Sequence, residues 1–399
     1  LKEFGKNYYQ KVVYVNFDNN ERMDNLFSGD MDIEHIISGL EVYSKIKITP
    51  NDTLIIFDEI QENPNALNSL KYFYENAPEY QIVSAGSLLG VALTHQGKSF
   101  PVGKVEFMDL YPMSFCEFLT AIGEEKLCEL LRKLDFNLIK VFKSKYEELL
   151  KKYLYIGGMP EVVKNYVENK DFIKVMELQK QLLKAYEADF GKHIAKKDTP
   201  KVQMIWDSIP SQLAKRNPKF VYGLLKEGAR AKEFEDALIW LKKTGLVYQV
   251  NKLTKPDLPI FSYEDRSSFK LYMLDTGLFC AKSLLDIETL LDGSRIFEEF
   301  RDSLTEQYVL QELKTLPEMP ITYWEGKNAE VDFVIQHKNE VVPVEVKATT
   351  NLKAKSLKAY CDKYAPEKAV RTSLSDYKKT DNLYDIPLYC IENINTILE

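Results

Sequence analysis

The run Thr53-Leu54-Ile55-Ile56-Phe57 constrains this chain most, because it is apolar or β-branched throughout and shows no alternation of period two. A strand with one wet face alternates, whereas one buried on both faces does not, and burial on both faces is the mark of a parallel sheet covered by helices. Two more β-rich runs, Val12-Val13-Tyr14-Val15-Asn16-Phe17 and Gln81-Ile82-Val83-Ser84, stand on either side of it, with helical patterns between. Such alternation predicts an α/β unit with a parallel sheet over the first 90 or so residues. The chain opens on Lys2-Glu3-Phe4-Gly5-Lys6, which reads as helix, so the expectation is that the unit's first strand precedes Leu1.

A length of 399 residues predicts two or three domains at about 150 residues each. With 45% hydrophobic and 28% charged residues the chain is ordinary globular material. Residues 1–120 form the first expected unit, and 121–189 read as a helical linker with one break at Gly157-Gly158-Met159-Pro160. Residues 190–290 read as helix, second helix over Ala231 to Lys243, then the alternating run Gly245 to Val250, an order that suggests a winged helix-turn-helix. Residues 291–399 read as a separate α/β domain: a helix from Phe297 to Lys314, two strands, a Lys-rich helix near 353–363 and a last strand around Pro387 to Ile391.

The net charge of -7 gives no global reason for a polyanionic partner, but residues 186–285 hold 17 Lys plus Arg against 12 Asp plus Glu, a net +5. Against a DNA reader, the second helix of that region carries Glu233, Glu235 and Asp236 where a major-groove helix prefers Arg, Asn or Gln. A packing module is the competing reading, with Trp206 and Trp240 as core residues. The five cysteines form no C-x-x-C pair and no zinc spacing with the four histidines, so reduced thiols are expected. No apolar stretch approaches the roughly 18–20 residues of a membrane helix, and a cytoplasmic protein is the expectation.

Asp58 and Glu59 follow the buried run directly. In a P-loop NTPase that position is the Walker B site, where the aspartate holds Mg²⁺ and the glutamate polarises the attacking water. The competing reading is an ordinary strand followed by an Asp/Glu helix-capping turn. No stretch satisfies G-x-x-x-x-G-K-[S/T]; Ala92 to Ser99 meets a looser pattern, but Pro101 and its place after the Asp58 strand argue against it.

Thr53 to Pro64 (TLIIFDEIQENP), Ile82 to Gly90 (IVSAGSLLG) and Ser99 to Leu119 (SFPVGKVEFMDLYPMSFCEFL) resemble a large family of prokaryotic AAA-like ATPases. The resemblance implies a parallel-sheet P-loop NTPase core binding ATP and Mg²⁺, with its first strand and phosphate loop just before a helix like that at Lys2. It implies Asp58 as Mg²⁺ and nucleotide ligand, Glu59 as the catalytic carboxylate and Ser87 as the polar sensor. Lys104 stands where many members have arginine, and lysine lacks the bidentate fork of an arginine finger.

A second constellation lies in Ala329-Glu330-Val331-Asp332-Phe333-Val334-Ile335 and Val342-Pro343-Val344-Glu345-Val346-Lys347. His337-Lys338-Asn339-Glu340 makes a hairpin turn between them. Pairing with residue numbers summing to 677 sets Val331, Phe333 and Ile335 against Val346, Val344 and Val342, with Asp332 opposite Glu345 and Glu330 opposite Lys347 on the other face. Opposed acids call for a cation, and Asp followed by Glu-x-Lys on the partner strand is the PD-(D/E)xK nuclease pattern, with Asp332 and Glu345 on Mg²⁺ and Lys347 on the attacking water. A hairpin with one solvated charged face is the competing reading. This region also resembles the restriction-endonuclease-like C-terminal domain of the same family, which implies Glu306, on the preceding helix, as a further site acid.

The expectation is therefore an α/β multidomain protein: an ATPase core, a helical and winged-helix middle and an α/β endonuclease-like end. Expected partners are ATP, DNA as nucleic acid, and further copies of the chain as a homo-oligomer, with no membrane. The alternative is a non-catalytic, nucleotide-regulated interaction or oligomerisation protein with an inactive nuclease-like domain.

Overall fold

The structure is a computed structural model, and it describes residues 1–86, 103–194, 196–214, 219–292, 298–350 and 353–399. Ser87 and the Ala92–Ser99 segment lie outside the described residues. The chain divides into two compact units, Leu1–Asp109 and Leu110–Glu399. The sequence-based boundary at 120/121 thus moves to 109/110, and those at 189/190 and 290/291 fall inside the second unit.

In the first unit, β1 (Lys11–Asn16), β2 (Thr53–Asp58) and β3 (Gln81–Ser84) form a sheet in the order β1-β2-β3, parallel throughout. Residues Leu54 to Phe57 are each no more than 1% exposed, as the missing alternation requires. On one face Val13, Val15, Phe17, Ile55 and Phe57 pack against Ile36, Ile37 and Leu40 of helix Ile33–Ser44. There Phe17, Phe27 and Phe57 meet edge to face, with ring centroids 5.3–5.8 Å apart. On the other face helix Lys2–Tyr8 lies close to the sheet at Gly5, where a Cβ would come 2.6 Å from Val12 Cγ2 and 3.2 Å from Leu54 Cδ2.

The second unit is built on eight strands: β4 (Val247–Leu253), β5 (Glu264–Met273), β6 (Ile321–Glu325), β7 (Glu330–His337), β8 (Glu340–Val346), β9 (Ala369–Ser373), β10 (Lys378–Thr380) and β11 (Leu383–Pro387). They run in the order β10-β11-β9-β8-β7-β6-β4-β5. The helix, helix, hairpin order read as a winged helix is present in Thr199–Ala214, Ala231–Lys243 and β4–β5. Its hairpin is not a free wing: Asn251 to Leu253 pair in parallel with Thr322 to Trp324 of β6, so one sheet crosses the 290/291 boundary. Trp206 and Trp240 are buried, at 0% and 6% exposure, as the packing reading expects.

Three local expectations need correction. Residues Leu388 to Asn393 form a 3₁₀ helix rather than a strand; Leu388, Tyr389, Cys390 and Ile391 are all buried, a continuous apolar run that does not discriminate strand from tight helix. Strand β6 was not foreseen. Cys116 and Cys128 are joined as a disulfide rather than reduced, because helices Phe115–Ala121 and Glu125–Lys133 fold onto each other and bring their Cα atoms to 5.1 Å. Cys280, Cys361 and Cys390 are free. Among the described residues no helix is long and apolar enough to cross a membrane.

Candidate functional site

At the end of β2, the Asp58 carboxylate accepts the Tyr14 hydroxyl at 2.6 Å through Oδ2 and the Glu59 amide at 3.2 Å through Oδ1. Register supplies the pairing: Asn16 of β1 lies beside Asp58, which sets Tyr14 one pleat back on the same face. The bond to Asp58, aided by burial, pushes the Tyr14 phenol up. The Lys2 ammonium sits 3.4 Å from the Tyr14 ring centroid. Leu1, Lys2, Glu3, Tyr14, Ile56 and Asp58 line a cleft of about 440 Å³, so the N-terminal end of the first helix faces the Walker B-like aspartate.

Glu59 stands in the left-handed region, with φ 52°, and its carboxylate accepts Gln61 Nε2 at 2.5 Å. The helix that follows, Pro64–Asn76, is capped by Asn63, whose Oδ1 accepts the Ala66 amide at 2.8 Å. Glu59 stands at the N-cap position of the intervening 3₁₀ turn Ile60–Glu62 but makes no side-chain cap bond there, and neither Asp58 nor Glu59 caps the Pro64–Asn76 helix. Lys104 pairs with Glu75 at 3.4 Å and lies over the Tyr74 ring at 4.8 Å.

The second acid group is assembled by β5, β7, β8 and the helix Glu298–Lys314. Hairpin register follows the expected sum, with Phe333 opposite Val344, Ile335 opposite Val342 and His337 opposite Glu340, and Lys338 at φ 53° making the turn. Beyond Phe333 the ladder opens: Asp332 Oδ2 accepts the Val346 amide at 2.7 Å, and the Lys347 amide turns away to Thr372 O at 2.8 Å on β9. Glu330 therefore does not face Lys347. Lys347 pairs with Glu345 at 2.7 Å, while Glu330 pairs with Lys270.

Lys270 and Tyr272, on one face of β5, are the residues sequence reasoning missed. Lys270 is 6% exposed, and its ammonium lies 3.7 Å from Glu306 Oε2 and against Glu330 Oε1. The Tyr272 hydroxyl donates to the same Glu306 oxygen at 3.1 Å. Next to Glu306, Gln307 clasps the Met273 backbone, accepting from its amide at 2.9 Å and donating to its carbonyl at 2.7 Å, which fixes the helix against β5. The one available signal was period-two placement of Lys270 between Ser268 and Tyr272 in a strand that turns wholly buried from Ser268 onward.

The electrostatics follow from crowding. Withdrawal from water, then Glu306 and Glu345, raise the Asp332 carboxyl well above the usual range. Burial raises Glu345, opposed by Lys347, and burial likewise raises Glu330, opposed by Lys270. Burial alone would lower Lys270, but Tyr272, Glu306, Glu330 and Asp332 more than reverse it. Lys347 is likewise lifted by Glu345 against its own burial, so its ammonium stays charged.

Glu345 is 4% exposed, and its Oε2 has no hydrogen-bond partner. An orphaned, buried carboxylate oxygen beside a second carboxylate fits a hard divalent cation completed by water or phosphate oxygens. Among the described residues no group of three or more His, Cys, Asp or Glu is arranged to hold a metal ion. Glu306, Asp332, Glu345 and Lys347 thus lie within one electrostatic neighbourhood, although Asp332 and Glu345 are not paired in the ladder, and Asp58 and Glu59 lie in the other unit.

Comparison with known proteins adds three matches along the chain. Residues 1–119 match the family described as an AAA domain, 147–290 match a domain of unknown function (DUF8612), and 301–391 match a second domain of unknown function (DUF4143). None of the curated proteins matches the chain. Among solved structures, a Walker-type ATPase of Pyrococcus abyssi is similar at 14% identity and a TM-score of 0.38, over 69% of this chain and 84% of that one. The stretch that is similar to an AAA domain, residues 1–119, includes strand β2 and the Asp58-Glu59 pair at its end.

Proposed function

We propose that ATP is bound and hydrolysed at the Asp58-Glu59 end of β2, and that this cycle serves a nuclease-like site formed by Glu306, Asp332, Glu345 and Lys347 acting on DNA. In the first site Asp58 would hold Mg²⁺ with the nucleotide, Glu59 would accept a proton from the attacking water, and the resemblance gives Ser87 the sensor role. In the second, bound Mg²⁺ would supply Lewis-acid polarisation of a phosphodiester. Asp332 and Glu345 would hold the cation, giving up, as it binds, the protons that their burial retains. The charged Lys347 donates a hydrogen bond that orients the water, and a charged ammonium acts there as a donor, not as a base.

The observation that carries the nuclease half is the orphaned Oε2 of Glu345 beside Asp332, with Lys347 bonded to the other Glu345 oxygen. Its test is Mg²⁺-dependent cleavage of single- and double-stranded DNA by the full protein against an Asp332→Ala, Lys347→Ala variant. Cleavage lost in the variant is expected. Equal background from both would leave the AAA-like unit attached to a non-catalytic interaction domain.

A further inference from the structure

Lys270 has no part in the motif that defines the nuclease-like site, yet its ammonium is buried within it. It comes from β5, within the segment matched by DUF8612, while the four carboxylates it faces come from the segment matched by DUF4143. Its Nζ contacts Glu330 and lies 3.7 Å from Glu306, and a side chain that is 7% exposed cannot swing out to water without opening the sheet. Glu306 Oε2 is claimed twice, by Lys270 and by the Tyr272 hydroxyl at 3.1 Å. On the opposite side Lys347 claims one oxygen of Glu345 and leaves the other orphaned.

The acid group is therefore divided. Glu306 and Glu330 share Lys270 as an internal cation, whereas Lys347 engages one oxygen of Glu345 and leaves its Oε2 without a partner, near Asp332, whose Oδ2 takes the Val346 amide. We propose that Lys270 is a built-in counter-cation that fills the Glu306–Glu330 half of the site and so restricts the site to one divalent cation, held by Asp332 and Glu345. Lys270 is a positioning residue in this scheme: it touches neither the phosphodiester nor the water. It also makes the cation capacity of the C-terminal segment depend on a strand of the segment before it.

This inference rests on the reading of Asp332 and Glu345 as cation ligands. The experiment is Mn²⁺ binding to the full chain, counted by electron paramagnetic resonance of free Mn²⁺ and by calorimetry, with no nucleic acid present. Wild type is expected to bind one Mn²⁺ that is lost in Asp332→Ala. Lys270→Met, and the polar variant Lys270→Gln should the first not fold, are expected to bind a second Mn²⁺ or to bind the first about tenfold tighter, as removal of an adjacent positive charge demands. Lys270→Arg is expected to keep the single site. Identical stoichiometry and affinity in wild type, Lys270→Met and Lys270→Gln would overturn the counter-cation role while the metal site stood. Absence of Asp332-dependent binding in every variant would overturn the metal site itself.

Discussion

Two strands of this chain carry acids, Asp58 at the end of β2 and Asp332 near the start of β7, and they keep those acids in opposite ways. Asp58 leaves its buried strand at an open cleft and is held by two neutral donors, the Tyr14 hydroxyl and the Glu59 amide. Asp332 sits among Glu306, Glu345 and Lys270, where burial and like charge push its carboxyl up. Neutral donors leave a carboxylate's charge available to an incoming cation at little cost, whereas a crowded site has already met the desolvation penalty and needs a resident cation to relieve it. The first arrangement suits a ligand that comes and goes with a nucleotide. The second suits a cation that stays.

The largest effect that would break this contrast is on turnover. Glu59→Gln keeps the side chain's shape and removes its basicity, so ATP hydrolysis should fall by about 10²–10⁴-fold, while nucleotide binding changes little. Steady-state phosphate release reads it, and an unchanged rate would take the general-base role away from Glu59.

A thermal comparison comes next. Folding raises the Asp332 carboxyl, so the native state holds its proton to higher pH than the unfolded chain does, and stability is lost as pH climbs from about 4 through the raised value. In metal-free buffer at pH 7–8, Asp332→Asn should therefore stabilise the protein by about 1–2 kcal/mol, with the gain shrinking towards pH 4. Asp58→Asn keeps an acceptor for Tyr14 and should stay within about 0.5 kcal/mol of wild type. Melting curves across pH decide it: equal shifts from both substitutions would erase the difference between the two regions.

What was legible in the sequence follows the same division. Continuous apolar runs betrayed the parallel sheet of the first unit, and hairpin alternation gave the register that sets Phe333 against Val344, because local pattern alone determines both. The joining of β4 to β6 was not legible, since strand pairing across some 70 residues leaves no mark at either strand. For that reason Lys270 was hidden: its meaning arises only when β5 and β7 share a sheet. Glu330 was misplaced through a local cause, the opening of the ladder where the Asp332 side chain takes the Val346 amide. The Cys116–Cys128 bond was hidden likewise, as a spacing of 12 residues across two helices resembles no cysteine signature.

The smallest effect tests whether neutral donors matter at the N-terminal site. Tyr14→Phe removes one hydrogen bond, to Asp58 Oδ2, and leaves the ring under Lys2 in place. A bond to a charged carboxylate at a half-exposed site contributes about 1 kcal/mol, so Asp58 would be less well oriented and the Mg²⁺ concentration for half-maximal ATP hydrolysis should rise about fivefold, with kcat little altered. A magnesium titration of ATPase rate reads this directly. A fall in the half-maximal concentration would mean that the hydroxyl competes with the metal rather than aiming the carboxylate.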